Sequence, residues 1–268
     1  MSSHEIIRKL AQKVDRLLSP GKNLRRIAYA LDGLSLRNLE CEYHERPEYG
    51  PSNLGEKLAR QAVGGPFEPL DIALVNRAAA HLAISNKSIL EVGSGTGMFA
   101  TLVADACPES RITASEFDNI TREWAAKNRN RKNITYCRKS LQEFANDEFD
   151  LTVALEVVEH IHEYAGFLRQ LSRVAPQAII STPNRLRSAF DAIANPPTYE
   201  CHVREWSSEA FYWVLRVFWN DVKLYTIPNI RKQIRKSQTD ERYQPNIARI
   251  GIHCREHVMI AVCNAPRR

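Results

Sequence analysis

The sequence predicts an α/β protein built on a largely parallel sheet with helices on both faces. Three observations predict it. Short apolar, β-branched runs alternate with stretches of helical period from Ser88 to Ser181, the pattern that connects successive parallel strands. A glycine cluster, Gly93-Ser94-Gly95-Thr96-Gly97, sits where the first of these runs gives way to a helical stretch. The composition, 44% apolar and 25% charged over 268 residues, is ordinary for a globular chain. It excludes collagen-like, coiled-coil and disordered classes and suits one large domain with additions.

The elements follow in order. Ile6, Ile7, Leu10, Ala11, Val14, Leu17 and Leu18 recur at helical spacing among Arg8, Lys9, Lys13 and Arg16, and Ser19-Pro20-Gly21 ends the run. This amphipathic helix either packs on the main domain or lies on a membrane surface. Residues 32–70 show no sustained period, and a helix is predicted over Asp71–Ala83. Strand Ser88–Val92 leads through the glycine cluster into helix Met98–Ala106. Strand Arg111–Glu116, helix Asn119–Asn130, strand Asn133–Cys137, strand Phe149–Leu155, helix Tyr164–Val174 and strand Gln177–Ser181 continue the alternation. Ser207-Ser208-Glu209-Ala210 has the hydroxyl cap of a helix start and leads into Phe211–Val217. Asp221–Ile227 and His257–Cys263 are the last strands, joined by a connection of about 29 residues of the length that such folds reserve for function.

Charge is uneven. Residues 1–26 carry +5 and residues 223–268 carry +7, so the middle of the chain holds −6 of the net +6. Basic ends around an acidic body suit an anionic partner. The longest uncharged stretch, Val92 to Ala104, has 13 residues, against roughly 18 for a membrane span. His4, Glu5, Arg8 and Lys9 interrupt any secretory apolar core. The six cysteines, Cys41, Cys107, Cys137, Cys201, Cys254 and Cys263, contain no C-x-x-C, so free thiols and a cytoplasmic location are expected.

The glycines let the backbone turn sharply and approach a ligand without a Cβ in the way. Behind them, the N-terminus of a helix offers unpaired N–H groups. Glu116 stands 19 residues beyond Gly97 at the next strand end, where a carboxylate accepts hydrogen bonds from both ribose hydroxyls of a nucleoside ligand. Phe117 is placed to lie against an adenine face. The spacing G-x-G-x-G departs from the dinucleotide pattern G-x-G-x-x-G, and no phosphate-loop signature G-x-x-x-x-G-K-[ST] occurs.

Ile89-Leu90-Glu91-Val92-Gly93-Ser94-Gly95-Thr96-Gly97 resembles motif I of the class I S-adenosylmethionine-dependent methyltransferases. Phe149-Asp150-Leu151-Thr152-Val153-Ala154 resembles their fourth-strand motif. Glu156-Val157-Val158-Glu159-His160 is similar to the branch of ubiquinone-pathway O-methyltransferases. Ser181-Thr182-Pro183-Asn184 and His202-Val203-Arg204-Glu205-Trp206-Ser207 extend the resemblance over roughly residues 70–227 and the last strand. It implies a Rossmann-like seven-stranded sheet, ordered 3-2-1-4-5-7-6 with strand 7 antiparallel, in a domain from 71 to 268 with a basic insertion at 228–252. Residues 1–70 then form a helical extension and substrate-side cap. It implies S-adenosyl-L-methionine as cofactor, with Glu91, Gly93, Ser94, Gly95, Thr96 and Gly97 on its methionine part, and Glu116 and Phe117 on its nucleoside. Ser140 and Leu141 stand where the family often carries Asp or Asn beside adenine, and Glu156 completes the cofactor set.

Methyl transfer from a sulfonium is an in-line displacement, for which alignment alone supplies about 7–11 kcal/mol. A hydroxyl acceptor also needs a base, worth about 10²–10⁴-fold, and His160, His162 and His202 are the candidates. Glu156, Glu159 and His160 share i, i+3, i+4 spacing on one face of a helical turn. With His202 they make an oxygen–imidazole set suited to Mg²⁺, Mn²⁺ or Zn²⁺, similar to the metal site of the small-RNA 3′-terminal 2′-O-methyltransferases. The other reading is a polar loop flanking the cofactor.

In residues 228–252, Arg231, Lys232, Arg235, Lys236, Arg242 and Arg249 face only Asp240 and Glu241. They form either a lid that attracts an acidic substrate or a solvated loop. With Tyr243 as its only aromatic residue, the segment does not favour a nucleic-acid platform. The expected function is O-methylation of a small-molecule, glycan or lipid-linked acceptor. A metal-dependent RNA 2′-O-methyltransferase and a non-catalytic cofactor-binding scaffold are the alternatives.

Overall fold

Hydrophobic alternation at single-residue resolution divides this molecule into two faces. In the computed structural model, which describes residues 70–185, 202–240, 243–254 and 256–267, adjacent strand residues point to opposite cores. Ile89, Ile179 and Ile260 join one core, and Leu90, Ile180 and Ala261 join the other. Strands buried on both faces read as continuous apolar runs. The readings made for residues 1–69, and for most of 183–206, lie outside the described residues.

Six helices and eight strands are described: α1 (Leu70–Ala83), β1 (Ser88–Val92), α2 (Met98–Ala106), β2 (Arg111–Ser115), α3 (Asn119–Asn128), β3 (Ile134–Cys137), β4 (Leu151–Leu155), α4 (Tyr164–Val174), β5 (Gln177–Pro183), α5 (Ser208–Phe218), β6 (Trp219–Thr226), α6 (Ile230–Thr239), β7 (Ala248–Ile250) and β8 (Val258–Pro266). Local chemistry starts several of them. The Asp118 carboxylate accepts the Thr121 N–H at 2.7 Å and caps α3, and Ser207 Oγ accepts the Ala210 N–H at 3.1 Å and caps α5.

The sheet order is β3-β2-β1-β4-β5-β8-β6-β7. Strands β1 to β5 run parallel to one another, and β8 lies antiparallel between β5 and β6. This is the expected 3-2-1-4-5-7-6 arrangement with one strand added at the edge, β7, which pairs antiparallel with β6. Phe99 and Leu74, on α2 and α1, fill one core; Leu168, Phe211 and Trp206 fill the other. Among the described residues no helix is long and apolar enough to cross a membrane. Among the described residues, Cys107, Cys137 and Cys263 are free thiols.

The long basic connection is a helix and a strand. Its sequence, IRKQIRKSQT, has two isoleucines to bury, so local pattern does not announce a helix. Tertiary packing makes it one: α6 lies beside α1, with Ile230 in the shared core. Gln233, only 5% exposed, staples the segment. Its amide donates to Pro228 O at 2.7 Å, and its Oε1 accepts from the Asn246 N–H at 2.7 Å and the Tyr243 hydroxyl at 3.0 Å. Arg231, Lys232, Arg235 and Lys236 are all exposed on the opposite side. Replacing Gln233 by alanine orphans several buried groups and lowers stability by about 2 kcal/mol. A fall in the urea midpoint measures it, and an unchanged midpoint counts against the staple.

Candidate active site

The parallel strands β1, β4 and β5 bring Val92, Leu155 and Pro183 to one edge of the sheet. The glycine loop begins there. Gly93, Gly95 and Gly97 have φ of 68°, 51° and 77°, a region that disfavours a Cβ. The Gly93 and Ser94 N–H groups donate to Ser115 O at 2.9 and 3.1 Å and tie the loop to the end of β2. A Cβ on Gly93 would stand 2.7 Å from Val157 Cγ2, and one on Gly97 would overlap the Tyr136 hydroxyl, whereas Gly95 faces open space. Gly97→Ala is expected to lower stability by about 2 kcal/mol, from left-handed backbone strain and displacement of Tyr136. Thermal or urea unfolding checks it, and wild-type stability would contradict the strain.

Ser94 is 6% exposed, and its Oγ has no hydrogen-bond partner among the described residues. Glu91 is likewise buried at 3%. Burial, with the Glu91 charge adding, pushes the Tyr136 hydroxyl up to about 12. Glu116 is clamped at both oxygens: Oε2 accepts the Gly95 N–H and Oε1 the Asp118 N–H, each at 2.9 Å. Phe117, next in the chain, is 51% exposed. Leu141 is buried, and the Ser140 hydroxyl donates its proton to Glu143 at 2.9 Å.

Across from the loop, β4 ends in a strained residue. Glu156 has φ 54°, a left-handed backbone that costs a non-glycine residue about 1–2 kcal/mol. Its N–H reaches Ser181 Oγ at 3.0 Å, and Ser181 Oγ donates to Glu156 Oε1 at 2.8 Å. Val157 then closes on Gly93, and a single 3₁₀ turn spans Val158–His160. Glu156 therefore lies outside the turn that spacing alone would have it share with Glu159 and His160.

Ligand atoms of Glu159, His160 and His202 lie within 4.8 Å of one another. Glu156 is outside this set, and His162 is exposed. The His160 and His202 rings meet edge to face, with centroids 4.9 Å apart. Glu159 is fully buried, and neither carboxylate oxygen has a partner at hydrogen-bond geometry. Burial, joined by the charges of Glu156 and Glu205, holds its carboxyl well above the usual range, while the nearby Thr182 hydroxyl pulls the other way.

His202 arrives on a strap from a distant part of the chain. The Val203 and Arg204 N–H groups both donate to Glu159 O, at 2.8 and 3.1 Å. The Arg204 guanidinium sits 4.8 Å over the Tyr164 ring, and Tyr164 meets Trp206 edge to face at 5.6 Å. The Arg185 N–H donates to Trp206 O at 2.9 Å. His202 Nδ1 lies 2.8 Å from Glu205 Oε1. Sequence reasoning missed Glu205 and Ser181. Both lie in segments that carry the family resemblance; the i, i+3 spacing from His202 was a signal for Glu205, whereas nothing local marked Ser181 as a partner of Glu156.

A family model described as a methyltransferase domain matches residues 67–218. A ubiquinone biosynthesis O-methyltransferase of Rickettsia bellii is 35% identical over 112 residues, covering 40% of this chain and 46% of that protein. The counterpart from Rickettsia canadensis shares 35% over the same length, with 40% and 47% covered. The chain thus spans about half the length of these relatives. In fold it is similar to an S-adenosylmethionine-dependent methyltransferase from Mesorhizobium loti, with TM-score 0.52, 14% identity, and 73% of this chain and 98% of that chain covered.

Proposed function

Because the chain belongs to the methyltransferase-domain family, within the class I S-adenosylmethionine-dependent methyltransferases, we propose that this enzyme methylates a hydroxyl oxygen, using the Glu159, His160 and His202 cluster. One observation carries the reading: these three side chains converge a single turn beyond Val157, the residue that closes on Gly93 of the glycine loop. The relatives named as O-methyltransferases support the choice of oxygen. A small-molecule, glycan or lipid-linked acceptor is the class we favour.

The residues fit the cofactor on their own chemistry. Ser94 Oγ is buried without a partner, Gly95 opens outward, and the Glu116 carboxylate is fixed by two backbone N–H groups. S-adenosylmethionine supplies a methyl group on a sulfonium sulfur. Glu91 and the loop from Gly93 to Gly97 would hold its methionine part. Glu116 would accept from the ribose hydroxyls, with Phe117 and Leu141 flanking adenine, and Glu156 would border the sulfonium end. His202 or His160 would take the acceptor proton, since imidazole titrates near neutral pH.

A second reading rests on the buried Glu159 oxygens, which lack partners beside two imidazoles. That donor set suits a divalent ion, and burying such a carboxyl is expensive unless something compensates it. Glu159, His160 and His202 would hold the ion. It would make an acceptor hydroxyl easier to deprotonate, and a ribose hydroxyl at an RNA end is then the second acceptor class. Assay of chelator-treated protein separates the readings. Full activity in EDTA leaves His160 and His202 as plain bases; loss restored by Mn²⁺ supports the ion.

The exposed Arg231, Lys232, Arg235 and Lys236 on α6 support an anionic acceptor. Their replacement by glutamine is expected to lower kcat/KM for the acceptor several-fold while cofactor affinity holds. If neither changes, those cations serve only the surface. Incubating a cell extract with labelled S-adenosylmethionine, followed by mass spectrometry, identifies the acceptor. Products methylated on nitrogen or carbon alone would refute the choice of oxygen.

A further inference from the structure

Glu205 has no place in the mechanism so far, yet it is a buried carboxylate beside an imidazole of the site. The side chains of His202 and Glu205 are 8% and 2% exposed, and His202 Nδ1 stands 2.8 Å from Glu205 Oε1. Burial of a carboxylate is costly without a compensating hydrogen bond, so the pairing is strongly held. The backbone between them is held as well, by the two N–H donors to Glu159 O and by the Arg204–Tyr164 and Tyr164–Trp206 ring contacts. Both His202 and its neighbour are thus fixed before any acceptor arrives.

We propose that Glu205 is a positioning residue: by accepting a hydrogen bond from Nδ1–H it fixes the His202 tautomer whose Nε2 lone pair serves the Glu159–His160 cluster. A neutral imidazole with Nδ1–H has its lone pair on Nε2, and an ionised carboxylate can only accept a hydrogen bond, never donate one. The hydrogen bond therefore selects one tautomer of two and one ring orientation. With the opposite tautomer, Nε2 carries a hydrogen and neither binds an ion nor removes a proton. The proposal rests on the reading of Glu159, His160 and His202 as a working site.

The wild-type chain tests it first, without any ion. Long-range ¹H–¹⁵N spectra, with the His202 signal assigned by its loss in His202→Gln, are expected to show Nδ1–H. An Nε2–H tautomer there overturns the proposal. Glu205→Gln, which keeps size and shape, is then expected to give mixed tautomers and to weaken Mn²⁺ binding about 10–100-fold, with S-adenosylhomocysteine affinity unchanged. A variant that keeps both the wild-type tautomer and wild-type Mn²⁺ affinity overturns the proposal as well. If wild-type protein binds no Mn²⁺, the ion reading fails by itself, and the tautomer still decides the role of Glu205. Should Glu205→Gln not fold, the wild-type spectrum remains decisive.

Discussion

Replacing Glu116 by alanine is expected to weaken S-adenosylhomocysteine binding about 100-fold. A carboxylate that accepts from two ribose hydroxyls makes two charge-assisted hydrogen bonds, each worth roughly 1.5–3 kcal/mol. Even the lower figure doubled is about 3 kcal/mol, or two decades of affinity. The loss is larger in effect because Glu116 also holds the Gly95 and Asp118 N–H groups at 2.9 Å. Alanine frees both and lets the loop relax before the cofactor arrives. Glu116→Gln keeps one acceptor oxygen and should lose less. Titration calorimetry on the purified chain reads the difference, and an alanine variant within threefold of wild type would refute the ribose role.

His202→Ala is expected to lower kcat by about 10²–10⁴ while leaving cofactor affinity intact. That range is what a positioned base or its equivalent contributes. The split between the two measurements matters because His202 lies on the strap of residues 202–206, whereas Glu116 follows the end of β2 and holds the glycine loop. Alanine removes the imidazole and leaves the Val203 and Arg204 donors to Glu159 O in place. A parallel fall in cofactor affinity would show that the strap supports the whole pocket. Unchanged kcat would remove His202 from the chemistry, leaving His160 as the imidazole nearest the loop. Loss of Mn²⁺ binding in the same variant would tie its role to an ion.

Much of the fold and the glycine loop is legible in the sequence. The strands of the central sheet are short, apolar and bounded by turn residues, so their order along the chain is written locally. The glycine loop is also local: three glycines at fixed spacing dictate a left-handed backbone, and the structure gives all three a positive φ. Boundaries shifted by a residue or two, as at β5, which runs on to Pro183. Helix α6 was not legible, because Ile230 and Ile234 offer too little apolar surface and α1, its packing partner, is some 150 residues earlier.

The candidate site divides along the same line. Glu159 and His160 are neighbours in sequence, and their pairing was read from spacing. Glu156, two residues before the 3₁₀ turn, was grouped with them on the assumption of a continuous helical turn. The left-handed backbone at Glu156 breaks that turn and directs its carboxylate to Ser181. His162 was a candidate only by residue type, and exposure leaves it outside the cluster.

By itself, then, the sequence determined the α/β class, the positions of the parallel strands along the chain and the glycine loop with Glu116 at the next strand end. These depend on backbone conformation and hydrophobic period, which act over a few residues. The resemblance already grouped His202 with Glu159 and His160, but only the tertiary structure decided that Glu205 stands behind His202, that Glu156 is turned away from the cluster, and that the basic connection packs on α1 as a helix. Those outcomes depend on contacts between segments tens to more than a hundred residues apart. Burial and loop closure set them, and no local pattern in the chain encodes either.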